Sequence, residues 1–137
     1  GKFELAIEQY RWLINRKEYP NLKFVLNNMA NLLVKKAPET ALQLIERALK
    51  IDNELAAFHD TKGWVLVSLG ELGKGLATLR KAQTLDSKAP STLYHIGYTL
   101  EKLGRRQEAV ISLRSALATN KQFSEKSLTE QLINEIK

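Results

Sequence analysis

A chain of 137 residues, 44% hydrophobic and 26% charged, can bury one continuous core and is too short for two ordinary domains. Its formal charge of +6 raises a nucleic-acid partner, but the excess is poorly clustered and spread along the chain with acids interleaved, which a solvated helical surface explains as well as a phosphate track does. No cysteine is present, which excludes disulfides, thiol catalysis and Cys-type zinc sites, and no apolar run approaches the roughly 20 residues that a membrane span needs.

The three prolines and seven glycines fall at intervals that suggest punctuation between helices, so the expected class is all-α. The first element is a helix over about residues 3–16, with Phe3, Ile7, Tyr10, Leu13 and Ile14 as its apolar face. Beyond it the sequence matches itself at an offset of 34. Gly63 falls on Gly97, Leu66 on Leu100, Leu69-Gly70 on Leu103-Gly104, Leu79 on Leu113 and Ala82 on Ala116. Carried backward, the same offset aligns Ala41 with Gly75 and Ala109, and Asp52 with Asp86 and Asn120.

Three units therefore occupy about residues 22–55, 56–89 and 90–121, each with two helical stretches broken by a short turn. In the second, Phe58, Val65, Leu66 and Leu69 precede Gly70, and Leu72, Leu76, Leu79 and Ala82 follow it. Gly63 and Gly97 on the first helices, facing small residues on the second, let the axes approach to about 8–10 Å. Gly70 and Gly104 suit left-handed C-terminal caps, and Pro38 and Pro90 suit first-turn positions, where proline loses no hydrogen bond. The first unit departs most, with Met29 in place of the crossing glycine and Lys35-Lys36 in place of Leu-Gly, which predicts a looser crossing.

Gly1-Lys2-Phe3 lines up with Gly70-Glu71-Leu72 if one residue is inserted near Pro20. The expectation is a half repeat over 1–21, the entry into the C-terminal end of a longer array, with an under-covered first helix that invites self-association. At the other end, Ser124 is placed to cap a last helix within 122–137. Leu128, Leu132, Ile133 and Ile136 are expected to face inward, backed by Glu125, Lys126, Glu130 and Glu135, as a solenoid's terminal helix must be.

These residues resemble the tetratricopeptide-repeat (TPR) pattern W-x2-L-G-x2-Y…A-x3-F-x2-A-x4-P. The second unit reads His59-x2-Lys62-Gly63-x2-Leu66…Gly75-x3-Leu79-x2-Ala82, and the third Leu93-x2-Ile96-Gly97-x2-Leu100…Ala109-x3-Leu113-x2-Ala116. The pattern's final proline is replaced by Asn53, Ser87 and Lys121. The resemblance covers nearly the whole chain and implies a right-handed α-solenoid of antiparallel helix hairpins, about eight helices in all.

Catalytic and metal chemistry find no support. Neither His59 nor His95 has a His, Asp or Glu at i+4, so both read as packed or hydrogen-bonded rather than as zinc ligands. No Ser, His and acid form a recognisable nucleophile arrangement. Gly70-Glu71-Leu72-Gly73-Lys74 superficially suggests a phosphate loop but lacks the following Ser/Thr and the preceding strand. No enzyme activity, cofactor or metal is expected.

The TPR resemblance implies instead that the first helix of each hairpin lines a concave groove. The groove positions are then Lys23, Leu26, Ala30, Leu33 and Val34 in the first unit, Asp60, Trp64, Val67 and Ser68 in the second, and Tyr94, Tyr98, Glu101 and Lys102 in the third. Of these, Lys23, Leu26, Asp60, Trp64, Tyr94, Tyr98 and Lys102 are the candidate partner-binding set. Trp64 and Tyr98 stand at equivalent positions and offer large contact area at low entropic cost; the alternative is that they pack between neighbouring repeats. Lys23, Asn27 and Asn31 only partly echo the basic and Asn clamp by which some family grooves grip a C-terminal carboxylate.

Asp60-Thr61-Lys62-Gly63-Trp64, Leu93-Tyr94-His95 and Phe123-Ser124-Glu125 are also similar to the C-terminal repeats of bacterial TPR lipoproteins of exopolysaccharide export and exosortase-type (PEP-CTERM) systems. Family members usually have Leu where Lys62 stands. This resemblance implies a periplasmic scaffold tethered at the outer membrane; without it the compartment stays open. The expected function is protein or peptide binding in the groove. The rivals are an RNA-binding helical repeat, motivated by Arg80-Lys81, Arg105-Arg106 and Arg114, and a purely structural spacer.

Overall fold

The computed structural model describes residues 1–16 and 20–136; within the first helix the side chains of Lys2, Phe3, Ala6, Leu13 and Ile14 lie outside that description. Among the described residues there are eight helices: α1 (Lys2–Ile14), α2 (Leu22–Leu33), α3 (Pro38–Ile51), α4 (Ala56–Ser68), α5 (Leu72–Leu85), α6 (Pro90–Lys102), α7 (Arg106–Ala118) and α8 (Lys126–Ile136). The starts of α2, α4 and α6, and of α3, α5 and α7, recur every 34 residues. Consecutive helices pack on one another, and α2, α4, α6 and α8 also pack as a row, each on the next, so the chain is an α-solenoid with α3, α5 and α7 behind that row.

Local chemistry sets the punctuation. Pro38 and Pro90 occupy the first turns of α3 and α6. Gly70 and Gly104 have φ of 85° and 80° and close α4 and α6. The Glu71 N–H reaches back to the Leu66 carbonyl at 2.9 Å and the Gly70 N–H to Val67 at 3.0 Å; Arg105 and Gly104 repeat both bonds onto Leu100 and Glu101. In the first hairpin, where no glycine is available, the Ala37 N–H bonds to Leu33 at 2.8 Å and Pro38 begins the next helix directly. Asp52 and Asp86 end α3 and α5 alike. Each carboxylate accepts the backbone N–H two residues on, from Glu54 at 3.0 Å and Lys88 at 3.2 Å, and so starts the turn into the next hairpin. Asn120, their counterpart, takes a left-handed conformation instead, with φ of 57°.

The small residues are required by space. A Cβ on Gly63 would lie 2.6 Å from Leu79 Cγ, and one on Gly97 2.6 Å from Leu113 Cγ and Cδ2. In the first hairpin the same crossing sets Met29 against Ile45's helix, and both side chains are fully buried. Helix α3 buries Ala41, Leu44, Ile45 and Ala48, a single stripe, because it has neighbours on one side. Helix α4, enclosed by α2, α3, α5 and α6, buries residues around most of its circumference, from Phe58 and His59 to Val67.

The apolar core runs in three clusters: Leu26, Met29, Leu33, Ile45, Phe58 and Val65; then Val67, Leu79, Ile96 and Leu100; then Tyr94, Leu113 and Ile133. Trp64 packs against all three. One expectation about the C-terminal end needs correction. In α8, Leu128 points to solvent, while Thr129 is fully buried and donates its hydroxyl to the Glu125 carbonyl at 2.8 Å. The helix begins at Lys126, and its inward stripe is Thr129 and Ile133 with Leu132 and Ile136 half-buried. In α1, Ile7 and Tyr10 pack on the first core cluster, and Leu5 and Trp12 are the exposed apolar residues; the expected roles of Phe3, Leu13 and Ile14 fall on side chains outside the described ones.

Candidate functional site

The row of first helices brings one turn of α4 against one turn of α6. Trp64 stacks on the His95 ring, 4.1 Å between centroids at 23°, and meets Tyr98 edge-on at 5.1 Å. Tyr94 completes the group, 6.2 Å from Trp64 and 6.3 Å from Tyr98. Such ring pairs contribute about 0.5–1.5 kcal/mol each beyond the area they bury.

His95 is the hub of this group. Its Nδ1 lies 2.9 Å from the Asp60 carboxylate on α4, and its Nε2 3.8 Å from the Glu125 carboxylate just before α8. With the proton on Nδ1, the imidazole donates to Asp60. Glu125 also accepts the Ser91 hydroxyl at 2.9 Å. One imidazole thus joins the second hairpin, the third and the last helix. The Tyr94 hydroxyl is pushed above its ordinary pKa, first by burial and then by Tyr98 and Glu125 beside it. His59 is held differently, with its Nε2 2.7 Å from the Asn53 carbonyl, so both histidines are buried and hydrogen-bonded.

Beside the aromatic group opens a cleft of about 420 Å³, lined by Trp64, Val67 and Ser68 of α4, Tyr98 and Lys102 of α6, Lys35 following α2, and Gly70 and Leu72 at the next turn. Trp64 and Tyr98 are each half-buried, so they pack between the second and third hairpins and still present a face to this cleft. The Lys102 ammonium stands 5.3 Å from the Tyr98 ring centroid.

The candidate set divides accordingly. Trp64, Tyr98 and Lys102 line the cleft together. Asp60 and Tyr94 belong to the packed group behind it, Asp60 committed to His95 and Tyr94 only 6% exposed. Lys23 is taken by Asp52 at 2.8 Å, a contact that holds the Asp52 carboxyl below its ordinary pKa, with the Glu54 N–H helping. Leu26 is completely buried, as are Ala30 and Leu33, because α1 and α3 cover that part of α2; these three offer no surface to a partner. Two features escaped sequence reading. Lys35 stood out only as a break in the repeat, and the carboxylates of His95 lie 35 residues before it and 30 after, a separation that helical i+4 spacing cannot reveal. Among the described residues, no group of three or more His, Cys, Asp or Glu is placed to hold a metal ion.

Against known proteins, residues 90–123 match the tetratricopeptide repeat family model. Among solved structures, the chain is similar to the type III secretion translocator chaperone SycD of Yersinia enterocolitica, at 17% identity over 88% of this chain and 96% of that one, with a TM-score of 0.75. The first TPR domain of human RPAP3 is similar at 14% identity over 86% and 91%, also with a TM-score of 0.75. The second TPR of Spaghetti (RPAP3), bound to the HSP90 peptide SRMEEVD, follows at 16% identity over 72% and 93%, with a TM-score of 0.66. No curated protein matches the sequence significantly. The fold is that of a TPR array.

Proposed function

We propose that this chain is a non-catalytic interaction scaffold that holds a segment of a partner protein in the cleft beside α4 and α6, with Trp64 and Tyr98 as its apolar floor. The observation that carries the reading is that pair of half-exposed rings at equivalent repeat positions, already fixed by packing, so that little side-chain entropy is lost on binding. A TPR fold seen with a peptide bound supports it as a precedent. The similarity of the Asp60–Trp64, Leu93–His95 and Phe123–Glu125 segments to TPR lipoproteins is the ground on which we place that partner in a bacterial envelope or exopolysaccharide-export assembly. Self-association through Leu5 and Trp12 of α1 belongs to the same proposal, since both are more than half exposed.

The test must separate binding from stability. Trp64→Ala does not, because Trp64 touches every core cluster. Ser68 is exposed, lines the cleft and supports no packing, so Ser68→Arg blocks the site with the fold intact. In a pull-down with the full-length protein, the partner retained by the parent chain is lost from Ser68→Arg at an unchanged melting temperature. Retention at parental levels refutes the cleft. RNA binding would announce itself by an affinity that falls by decades between low and moderate salt.

A further inference from the structure

Resting on the cleft reading, we propose the chemistry of its occupant: an extended protein segment in which one apolar side chain is flanked on each side by Asp or Glu. The apolar part of the site is Trp64, Val67, Leu72 and the Tyr98 ring. The cations come from either side of it. Helix α4 lies between α2 and α6 in the row, and the cleft receives Lys35 from the end of the first and Lys102 from the end of the other. Among the described residues neither ammonium has a carboxylate within ion-pair distance, and Glu101, adjacent to Lys102 in sequence, does not line the cleft.

Lys23, Lys74 and Arg105 meet carboxylates at Asp52, Glu71 and Glu108, and none of those acids lines the cleft. Asp60, one turn before Trp64 on α4, is engaged by His95 and does not line the cleft. The cleft is therefore apolar at its centre, positive at two flanks and without an anion of its own. A segment with acids on both sides of an apolar residue satisfies all three conditions, because its carboxylates meet the lysines while its apolar side chain covers the rings. A lone C-terminal carboxylate reaches only one flank. A nucleic acid strand would meet the lysines with phosphates, yet the cations that line the cleft are two, one following α2 and one at the end of α6, rather than a track.

The probe is an acetylated and amidated peptide, with no terminal charge, carrying one leucine between two aspartates on each side. The comparison peptides carry asparagine or lysine in place of aspartate. Binding is read from the indole N–H signal of Trp64 in Trp12→Phe protein, which leaves one tryptophan. The aspartate peptide is expected to bind at least tenfold more tightly than the asparagine peptide, and the lysine peptide not at all. The Lys35→Glu/Lys102→Glu protein, changed at two exposed positions, is expected to reverse the order. Equal affinities for the aspartate and asparagine peptides, or an unchanged order in the double variant, overturn the acidic preference while leaving the cleft as a binding site. If no peptide moves the Trp64 signal, the cleft reading falls with it. If a uridine oligonucleotide moves it more strongly than the aspartate peptide, the occupant is a phosphate chain and the proposal is wrong.

Discussion

Replacing Gly63 with alanine measures how closely α4 and α5 cross. The added Cβ would sit 2.6 Å from Leu79 Cγ, 2.8 Å from its Cδ2 and 3.0 Å from its backbone nitrogen. Leu79 is fully buried, so its side chain has nowhere to swing, and its backbone cannot yield without shifting α5. Overpacking of this kind costs about 1–3 kcal/mol. Against it stands the gain of about 1 kcal/mol from removing a glycine from a helix interior. The involvement of a backbone atom puts the cost in the upper half of its range, so the net loss is about 1–2 kcal/mol. For a chain of this size that lowers the melting temperature by about 3–8 °C. Thermal unfolding by circular dichroism reads it directly. Gly73→Ala supplies the opposite control on the neighbouring helix, because a Cβ there meets nothing within 4 Å. It should hold or raise stability, by up to about 1 kcal/mol. Adding Leu79→Ala to Gly63→Ala relieves the clash, and the pair should cost about 1 kcal/mol less than the sum of its parts. A Gly63→Ala melting temperature at or above the parent's, with additive double-variant behaviour, refutes the close crossing.

Further outcomes follow from the same geometry. Gly104→Ala, at φ of 80° with open space around it, should destabilise by about 1 kcal/mol through backbone strain alone, measurable by urea unfolding, whereas a merely crowded glycine would show no such effect here. Trp64→Ala should cost about 3 kcal/mol, and denaturation should show the loss without any partner present. The raised pKa of Tyr94 means that the folded state resists its ionisation. Its contribution is intact below the ordinary value of 10.0 and is lost as pH climbs through the folded value, so stability should fall in alkali, and Tyr94→Phe should flatten that fall in pH-dependent melting curves. Sedimentation of Leu5→Glu/Trp12→Glu should show less concentration-dependent association than the parent; equal association removes α1 from self-contact.

The hairpins were legible because their determinants are local and recur. Gly63, Gly70, Gly97 and Gly104 mark crossings and caps at fixed offsets, and Pro38 and Pro90 mark helix starts. The inward face of α8 was misread because hydrophobicity favoured Leu128, whereas Thr129 can be buried once its hydroxyl bonds to the Glu125 carbonyl. Leu26 and Ala30 were assigned to the groove by their repeat position. The Ala30 position is partly open on α4 and α6, at Trp64 and Tyr98, but covered on α2, whose surroundings include α1; the Leu26 position is packed in all three hairpins, at Leu26, Asp60 and Tyr94. The His95 contacts were invisible for a different reason. They join residues about one repeat apart, and nothing in a single sequence says which side chains of stacked hairpins touch.

Trp64 joins two tasks in one side chain, since the ring that floors the cleft is also packed against all three core clusters. Under the function proposed above, variation at that position is constrained twice, and a change that improves fit to a new partner risks unfolding the array before it can be tested. Evolution, or an engineer, has freer ground at Lys35, Ser68 and Lys102, which face the same cleft and are exposed. Partner preference in chains of this design should diverge at the rim while the floor stays fixed, so that two proteins sharing the tryptophan need share nothing of what they bind.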